Sequence, residues 1–294
     1  DLFTGTTRVA QELKRRGLFV LANDIATYSK VMADCYIATD ARSSDIAEVL
    51  SVLDELNHLP GVRGYFTRTF CEDSRFFQPK NGERVDAIRE AIETDYANSW
   101  MRPILLTSLM LAADRVDSTT GVQMAYLKQW AARANNQLDL RLPELLPGQG
   151  QSARRDALQL ARELPRTQLM YLDPPYNQHR YFTNYHIWET LIRWDSPEPY
   201  GIACKRLDAR DDSTKSVYNM KREMPAEMQR LLQAINTELA VVSYNNESWI
   251  EPEDMMIGLR EAGFEDVRLL AFDYKRYVGA QIGIYSPSGQ RVGK

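Results

Sequence analysis

Cysteine is scarce in this chain. There are three in 294 residues, Cys35, Cys71 and Cys204, odd in number and scattered. No Cys-x-x-Cys pair exists, so neither a disulfide framework nor a zinc site is indicated, no metal is expected, and the thiols fit a reducing cytoplasm. No run approaches the ~20 apolar residues of a membrane helix, so no membrane partner is expected. Internal repeats and low-complexity tracts are absent. Positive charge is not in excess: 36 Lys and Arg face 40 Asp and Glu, a net charge of −4. That balance weighs against a uniformly basic surface but leaves local basic faces open. The length suffices for one large α/β domain or two small ones, and 44% apolar with 26% charged residues is a globular composition.

What the chain does have is a strand-and-helix rhythm at both ends. Residues 1–34 read as turn, helix, strand and turn: a small-residue turn at Asp1 to Thr7, a helix from Val9 to Arg16 stopped by Gly17, and a buried strand Leu18 to Ala22 before Asn23-Asp24. Residues 35–145 read as mostly helical. Ile46, Val49, Leu50, Leu53 and Leu56 recur at helical spacing, as do Val85, Ile88 and Ile92, and then Leu105, Leu109 and Ala112. Pro143, Pro147, Gly148 and Gly150 read as a linker. The parallel-sheet rhythm returns over 152–176 and continues with a helix at 227–237, a strand at 239–244, a helix at 252–261 and two strands, 267–272 and 280–285, read as an antiparallel hairpin. The fold class expected is α/β, a doubly wound sheet with that hairpin and a mostly helical insertion. Residues 1–34 and 151–294 would form the catalytic domain and 35–150 the insertion. Asp1, Asp24, Asp156, Asp173 and Ser243 all fall at or just past strand ends, where ligands bind in such sheets, and are expected to line one crevice.

The stretch Leu169-Met170-Tyr171-Leu172-Asp173-Pro174-Pro175-Tyr176 carries the most chemistry. An apolar strand ends in a carboxylate, two prolines and an aromatic ring. This suits methylation of a nucleobase amino group, whose nitrogen lone pair is delocalised into the ring. A carboxylate and a backbone carbonyl can each accept one of its N–H bonds and free that lone pair for attack. Pro175 commits Pro174 to an extended backbone, which fixes the Pro174 carbonyl beside Asp173. Tyr176 can stack on a base taken out of its helix. The plainer alternative is a strand ending in a Pro-Pro turn.

Other positions support a nucleotide-like ligand. Phe3-Thr4-Gly5-Thr6 can bring backbone amides close to a ligand. Asp24 can accept from both ribose hydroxyls, or can simply cap Ile25-Ala26-Thr27. Asp156 can accept from an adenine amino group with Ala157 alongside, or be an ordinary turn acid. The Gly5 turn is not the full dinucleotide fingerprint, which argues against a nicotinamide cofactor.

Taken in order, these motifs resemble those of the adenine-N6 DNA methyltransferases of the Dam-like class, and most closely the FokI-type modification methylases. The likeness extends to residues 113–121, 184–189 and 243–247 and so covers nearly the whole chain. It implies S-adenosyl-L-methionine as cofactor, with Asp1, Phe3, Gly5, Thr6, Asp24, Ile25, Asp156 and Ala157 around it. It implies Asp173, Pro174, Pro175 and Tyr176 as the catalytic set. Two departures stand out. Thr7 occupies a position usually held by Gly, where a β-carbon could restrict backbone approach. The family's Gly-Ser-Lys-type loop would lie upstream of Asp1, where the chain begins without Met.

The resemblance places target recognition between Asp24 and Asp156. Within it, Arg63, Tyr65, Arg68, Arg75, Phe76, Phe77 and Lys80 mix cations with aromatics, either for phosphate and base contact or as a solvated face over core aromatics. Lys205, Arg206, Arg210, Lys215, Lys221 and Arg222 form a second basic stretch, diluted by Asp208, Asp211 and Asp212. Arg68, Arg75, Arg180, Lys205, Arg206 and Lys215 are the expected DNA contacts. His179, Arg180 and Tyr181 follow the catalytic turn and are placed to close over a flipped base, whereas His186 is expected to pack near Trp188. The expected activity is site-specific methylation of adenine N6 in double-stranded DNA by a cytoplasmic restriction-modification enzyme, with a cognate endonuclease or second methylase domain as partner. The alternatives are a cytosine-N4 enzyme, which uses similar chemistry, and a non-catalytic DNA-binding subunit.

Overall fold

The structure is a computed structural model describing residues 1–272 apart from 120, 179, 246 and 247. The chain divides into two compact units, Asp1–Glu251 and Pro252–Lys294.

In the first unit, α1 (Arg8–Arg15) leads to β1 (Val20–Asn23). Gly17, with φ of 83°, turns the chain between them as a positive-φ helix terminator should. α2 (Thr27–Ala33) continues as a π-helical turn, Asp34–Ala38. Four helices follow: α3 (Ile46–His58), α4 (Tyr65–Thr67), α5 (Pro79–Tyr96) and α6 (Arg102–Asp114). The Asp45 carboxylate caps α3 by accepting from the Glu48 N–H at 3.0 Å, and proline in the first turn of α5 and α6 sacrifices no helical hydrogen bond. Then come β2 (Gly150–Ala153), α7 (Ala157–Glu163), β3 (Thr167–Leu172), α8 (Tyr181–Asn184) and α9 (His186–Arg193). A short antiparallel hairpin, β4 (Pro199–Tyr200) and β5 (Lys205–Arg206), precedes α10 (Met224–Ala234) and β6 (Thr237–Val242). The second unit contributes α11 (Pro252–Glu261). Residues 267–272 carry no strand, and 280–285, the other half of the expected hairpin, lie outside the described residues.

β1 pairs in parallel with β2, and β3 in parallel with β6. The opening stretch of the chain sits between the two ladders. The Leu2 N–H donates to the Tyr171 carbonyl at 3.1 Å, while the Asn23 N–H donates to the Asp1 carbonyl at 2.9 Å and the Thr4 N–H to the Asn23 carbonyl at 2.8 Å. The lateral order is therefore β2, β1, residues 1–4, β3, β6. The expected linker is shorter than its composition suggests, because Gly150 opens β2. No side chain is tolerated there: a β-carbon would come within 2.6 Å of the Ile37 carbonyl oxygen and 2.9 Å of that of Val20.

The helices of the insertion share one core with the sheet. Val20 and Ala22 of β1 belong to the same buried cluster as Ile88 and Ile92 of α5, Ile104, Leu105 and Leu109 of α6, and Ile187 and Leu191 of α9. Phe66, Phe70, Phe76 and Phe77 are buried in it as well. That removes Phe76 and Phe77 from base reading. His186 packs against Phe70 and Phe76, with ring centroids 5.9 Å away in each case, and burial lowers its pKa to about 3. Arg89 ties α5 to α9 by donating to the Leu191 and Ile192 carbonyls at 2.8 and 3.0 Å.

Candidate active site

The parallel strands end together, and the chemistry-bearing side chains emerge there. Asp24 follows β1, Asp173 follows β3 and Ser243 follows β6, while Asp156 stands three residues beyond β2.

On the β1 side, the Asp24 carboxylate accepts from the Gly5 N–H and the Ala26 N–H, both at 2.9 Å. Burial pushes its pKa up, and those backbone hydrogen bonds, with one from Ile25, pull it back. Each carboxylate oxygen has two lone pairs, so acceptor capacity remains after these bonds. Gly5 holds φ at 50°, and a β-carbon there would meet open space. Thr7 holds φ at 65°, in the left-handed region that favours glycine. Its side chain is fully buried, donating to the Thr6 carbonyl at 2.6 Å and accepting from Gln11 Nε2 at 2.8 Å. Asn23, 1% exposed, holds the turn in register, donating to the Leu2 and Arg155 carbonyls and accepting from the Arg155 N–H.

Around this turn stand polar groups without protein partners. Asp1 Oδ2 accepts from Thr4 Oγ1 at 3.0 Å, while Oδ1 is buried with no donor among the described residues. Ile25 is exposed beside Asp24. The Phe3 ring meets Tyr218 edge-on at 5.1 Å, and the buried Tyr218 hydroxyl likewise has no partner among the described residues. Asp156 accepts from the Gln159 N–H at 2.9 Å as the cap of α7, with Ala157 buried behind it. One carboxylate oxygen of Asp156 is therefore committed to the helix cap.

On the β3 side, Asp173 is exposed at the surface, and its carboxyl hydrogen-bonds with the Ser243 and Tyr171 side chains; loss of solvent around the carboxyl raises its pKa and those bonds oppose the rise. Pro174 is buried and Pro175 half-buried. The Tyr176 ring lies edge-on to Tyr244 at 6.5 Å. Asn219 Nδ2 donates to the Asn177 carbonyl at 2.8 Å, so the 217–219 turn touches both Phe3 and the loop after Tyr176.

Sequence reasoning gives Glu189 no role, whereas Tyr181 is expected to close over a flipped base. Glu189 of α9, 3% exposed, accepts from the Thr27 and Tyr28 N–H groups at 3.1 and 3.4 Å. It thereby supports the segment directly after Asp24. Burial, and then the negative charge of Tyr176, Asp173, Tyr185 and Asp24, disfavour ionisation of the Tyr181 hydroxyl.

The expected DNA cations fall into two groups. Arg206 is 1% exposed, paired through both terminal nitrogens with Asp195 at 2.7 Å and also with Asp208. Lys215 is paired with Asp212. Arg180 donates to Thr214 Oγ1 at 3.1 Å. Arg68 and Arg75 are exposed, Arg75 lying 4.8 Å over the Trp130 ring and donating to the Lys128 carbonyl. Lys205 is half-buried, and burial lowers its pKa. Arg206 is therefore a structural cation rather than an exposed contact. His179 lies outside the described residues.

The family described as D12 class N6 adenine-specific DNA methyltransferase matches residues 1–257. The modification methylase StsI of Streptococcus sanguinis is 30% identical over 298 residues, 94% of this chain and 44% of that protein. The type II methyltransferase M.NlaIII of Neisseria lactamica is 29% identical over 287 residues, 94% of this chain and 83% of that protein. For the type II methyltransferase M.FokI of Planomicrobium okeanokoites the identity is 27% over 296 residues, 94% and 45%. The chain thus spans about half the length of StsI and M.FokI. No solved structure matches.

Proposed function

The chain belongs to the D12 class of N6 adenine-specific DNA methyltransferases, and from that premise we propose that it methylates the N6 amino group of adenine in double-stranded DNA, within a restriction-modification system. The observation that carries the proposal is the placement of Asp173 directly after β3, with Tyr176 in the loop that follows, while Asp24 directly follows β1. We read the lateral order β2, β1, residues 1–4, β3, β6 as a Rossmann-like sheet. In such sheets ligands bind where the strand order reverses, here between residues 1–4 and β3.

The residues fit S-adenosyl-L-methionine. The orphaned Asp1 Oδ1 suits an ammonium donor. Asp24 keeps acceptor capacity for ribose hydroxyls, Ile25 offers exposed apolar surface, and Gly5 leaves open space. Asp156 and Ala157 would flank the adenine ring, with Phe3 and Thr6 completing the turn. When bound, the cofactor supplies an electrophilic methyl on a sulfonium. Tyr176 would stack on the flipped adenine, offsetting part of the few kcal/mol that extrusion costs. Asp173 and the Pro174 carbonyl would each accept an N–H bond from N6. Those two acceptors would free the N6 lone pair for methyl transfer. One N6 proton leaves afterwards through Asp173 to solvent. Exposed Arg68 and Arg75 and half-buried Lys205 would contact phosphates, with Arg180 close to the flipped base.

The test is direct. Wild-type protein and the Asp173→Ala variant are incubated with labelled cofactor and duplex DNA, and the DNA is digested to nucleosides. We expect label in N6-methyl-2′-deoxyadenosine for the wild type and a loss on the order of 10²-fold or more in the variant, by analogy with removal of a group that stabilises the transition state. Label in N4-methylcytosine, or none with the wild type, would overturn the reading.

A further inference from the structure

Gln123 belongs to none of the motifs read in the sequence, yet it is only 4% exposed and its hydrogen bonds cross the molecule. Its Oε1 accepts from the Ile187 N–H at 3.1 Å and the Trp188 N–H at 3.3 Å. Its own N–H donates to the Asn184 carbonyl at 2.8 Å. Its carbonyl accepts from His186 Nε2 at 3.0 Å, which fixes the imidazole proton on that nitrogen because a carbonyl only accepts. The first turn of a helix leaves its N–H groups without helical partners. Tyr185, at the start of α9, offers no side-chain cap, and a residue 64 positions from Ile187 supplies one instead.

The neighbours of Gln123 give this brace a function. Asn184 ends α8, where the Arg180 carbonyl accepts from the Thr183 and Asn184 N–H groups at 3.1 and 2.9 Å. α8 is the first helix after β3 and the Asp173-Pro174-Pro175-Tyr176 turn. Gln123 therefore clamps the far end of the segment that begins at Asp173, while β3 holds the near end. The stretch around Gln123 is itself closed: Thr119 and Tyr126 form an antiparallel bridge, and the Leu127 N–H donates to the Ser118 carbonyl at 2.8 Å. Exposed Arg75 joins that stretch, donating to the Lys128 carbonyl at 2.8 Å and lying over Trp130. Lys128 is exposed too. One short stretch thus connects two surface cations to the clamp.

Resting on the function proposed above, we propose that Gln123 is a positioning residue. It ties the cationic stretch at Arg75 and Lys128, where duplex DNA would lie, to the end of the catalytic turn. It thereby sets where Tyr176 and the Pro174 carbonyl stand when the adenine arrives. Its oxygen then governs the turnover of bound DNA rather than the binding of DNA or cofactor. A misplacement of about 1 Å caused far from the chemistry can cost on the order of 10²-fold in rate.

Two variants of the whole chain test this. Gln123→Met keeps length and approximate volume but has no oxygen. Gln123→Glu keeps an acceptor and puts negative charge at a helix N-terminus, where it is favoured. The rate of plasmid methylation at saturating DNA and cofactor, the DNA affinity and the S-adenosylhomocysteine affinity are measured at a temperature where melts show each variant folded. Gln123→Met should lower the saturated rate by roughly 10- to 100-fold, with both affinities within about two-fold of wild type. Gln123→Glu should recover most of the rate. Should Gln123→Met not fold, Gln123→Ala takes its place with the same expectation, because it leaves room for water on the two N–H groups. An unchanged rate in the variant without the oxygen overturns the proposal. Rate and both affinities falling in step would reduce Gln123 to packing and overturn it as well. So would Gln123→Glu as slow as Gln123→Met, which would deny the oxygen a part. If the wild type methylates no adenine, the function proposed above fails first.

Discussion

At the residue scale the site trades stability for chemistry. Asp173 has its carboxyl pKa raised by loss of solvent around the carboxyl, against opposing hydrogen bonds from Ser243 and Tyr171. The folded state therefore holds the proton more tightly than the unfolded chain. Its stabilising contribution is present below the ordinary carboxylate pKa and is lost as pH rises through the folded value. At neutral pH the site carries a carboxylate that folding alone would rather have protonated. Asp173→Asn keeps an acceptor for the neighbouring hydroxyls and removes the titration. It should raise the melting temperature at pH 7 relative to wild type, with the gain shrinking toward pH 3.5, while methylation collapses. Thermal melts across that range decide it: an equal Tm difference at both pH values would detach the effect from ionisation. Tyr176 belongs to the same scale. If its ring stacks on the base, Tyr176→Phe should keep substantial activity and Tyr176→Ala should lose roughly 1–3 kcal/mol of binding to the extruded base. Equal losses in the two variants would assign the role to the hydroxyl.

At the element scale, α9 has a task its composition conceals. Its buried side includes His186, Glu189 and Thr190 beside Ile187, Leu191 and Ile192. Half of that face is polar, so the sequence offers no clean apolar stripe there. Its polar groups find partners far away in sequence: Glu189 meets Thr27 and Tyr28 across more than 160 residues. Such pairing leaves no local signal. Glu189→Ala would orphan two backbone donors at the start of α2, one of them at 3.4 Å and so weakly bound, at a cost of about 1–3 kcal/mol. It should also weaken cofactor binding, because the Asp24 turn leads directly into α2. Glu189→Gln retains an acceptor oxygen and should recover most of both, which paired melts and calorimetry would reveal. β2 was missed for a related reason. Gly-Gln-Ser-Ala has no strand character of its own, and Gly150 is there because Ile37 and Val20 press on it. By contrast β3 and α11 were legible from local pattern, an apolar run ending at Asp-Pro-Pro and a helix bounded by Pro252 and Gly263.

At the scale of the whole molecule, the question is which cations remain for a polyanion in a chain of net charge −4. A basic stretch in sequence does not make a basic face. The 205–222 segment spends Arg206 on Asp195 and Asp208, and Lys215 on Asp212; Arg63 is likewise taken by Glu72 at 2.6 and 2.8 Å. The aromatics among the 60–84 cations went into the core, which only the assembled fold could disclose. Arg206 and Arg68 should thus behave oppositely when removed. Arg206→Ala leaves two carboxylates facing one another around a buried void, with Arg193 as their remaining partner. The expected cost is about 3 kcal/mol of stability, the low end for a broken buried pair because both acids keep some contact with water. Where the variant stays folded, the salt dependence of DNA binding should match that of wild type. Arg68→Ala touches no buried group and should leave the melting temperature within error. If Arg68 contacts a phosphate, its loss should weaken binding to all sequences alike and reduce the slope of log K against log salt by about one. DNA titrations at several salt concentrations, paired with melts, separate the two. A reduced slope in Arg206→Ala with unchanged stability would mean that the buried cluster opens on DNA, and the division of cations drawn here would have to be reversed.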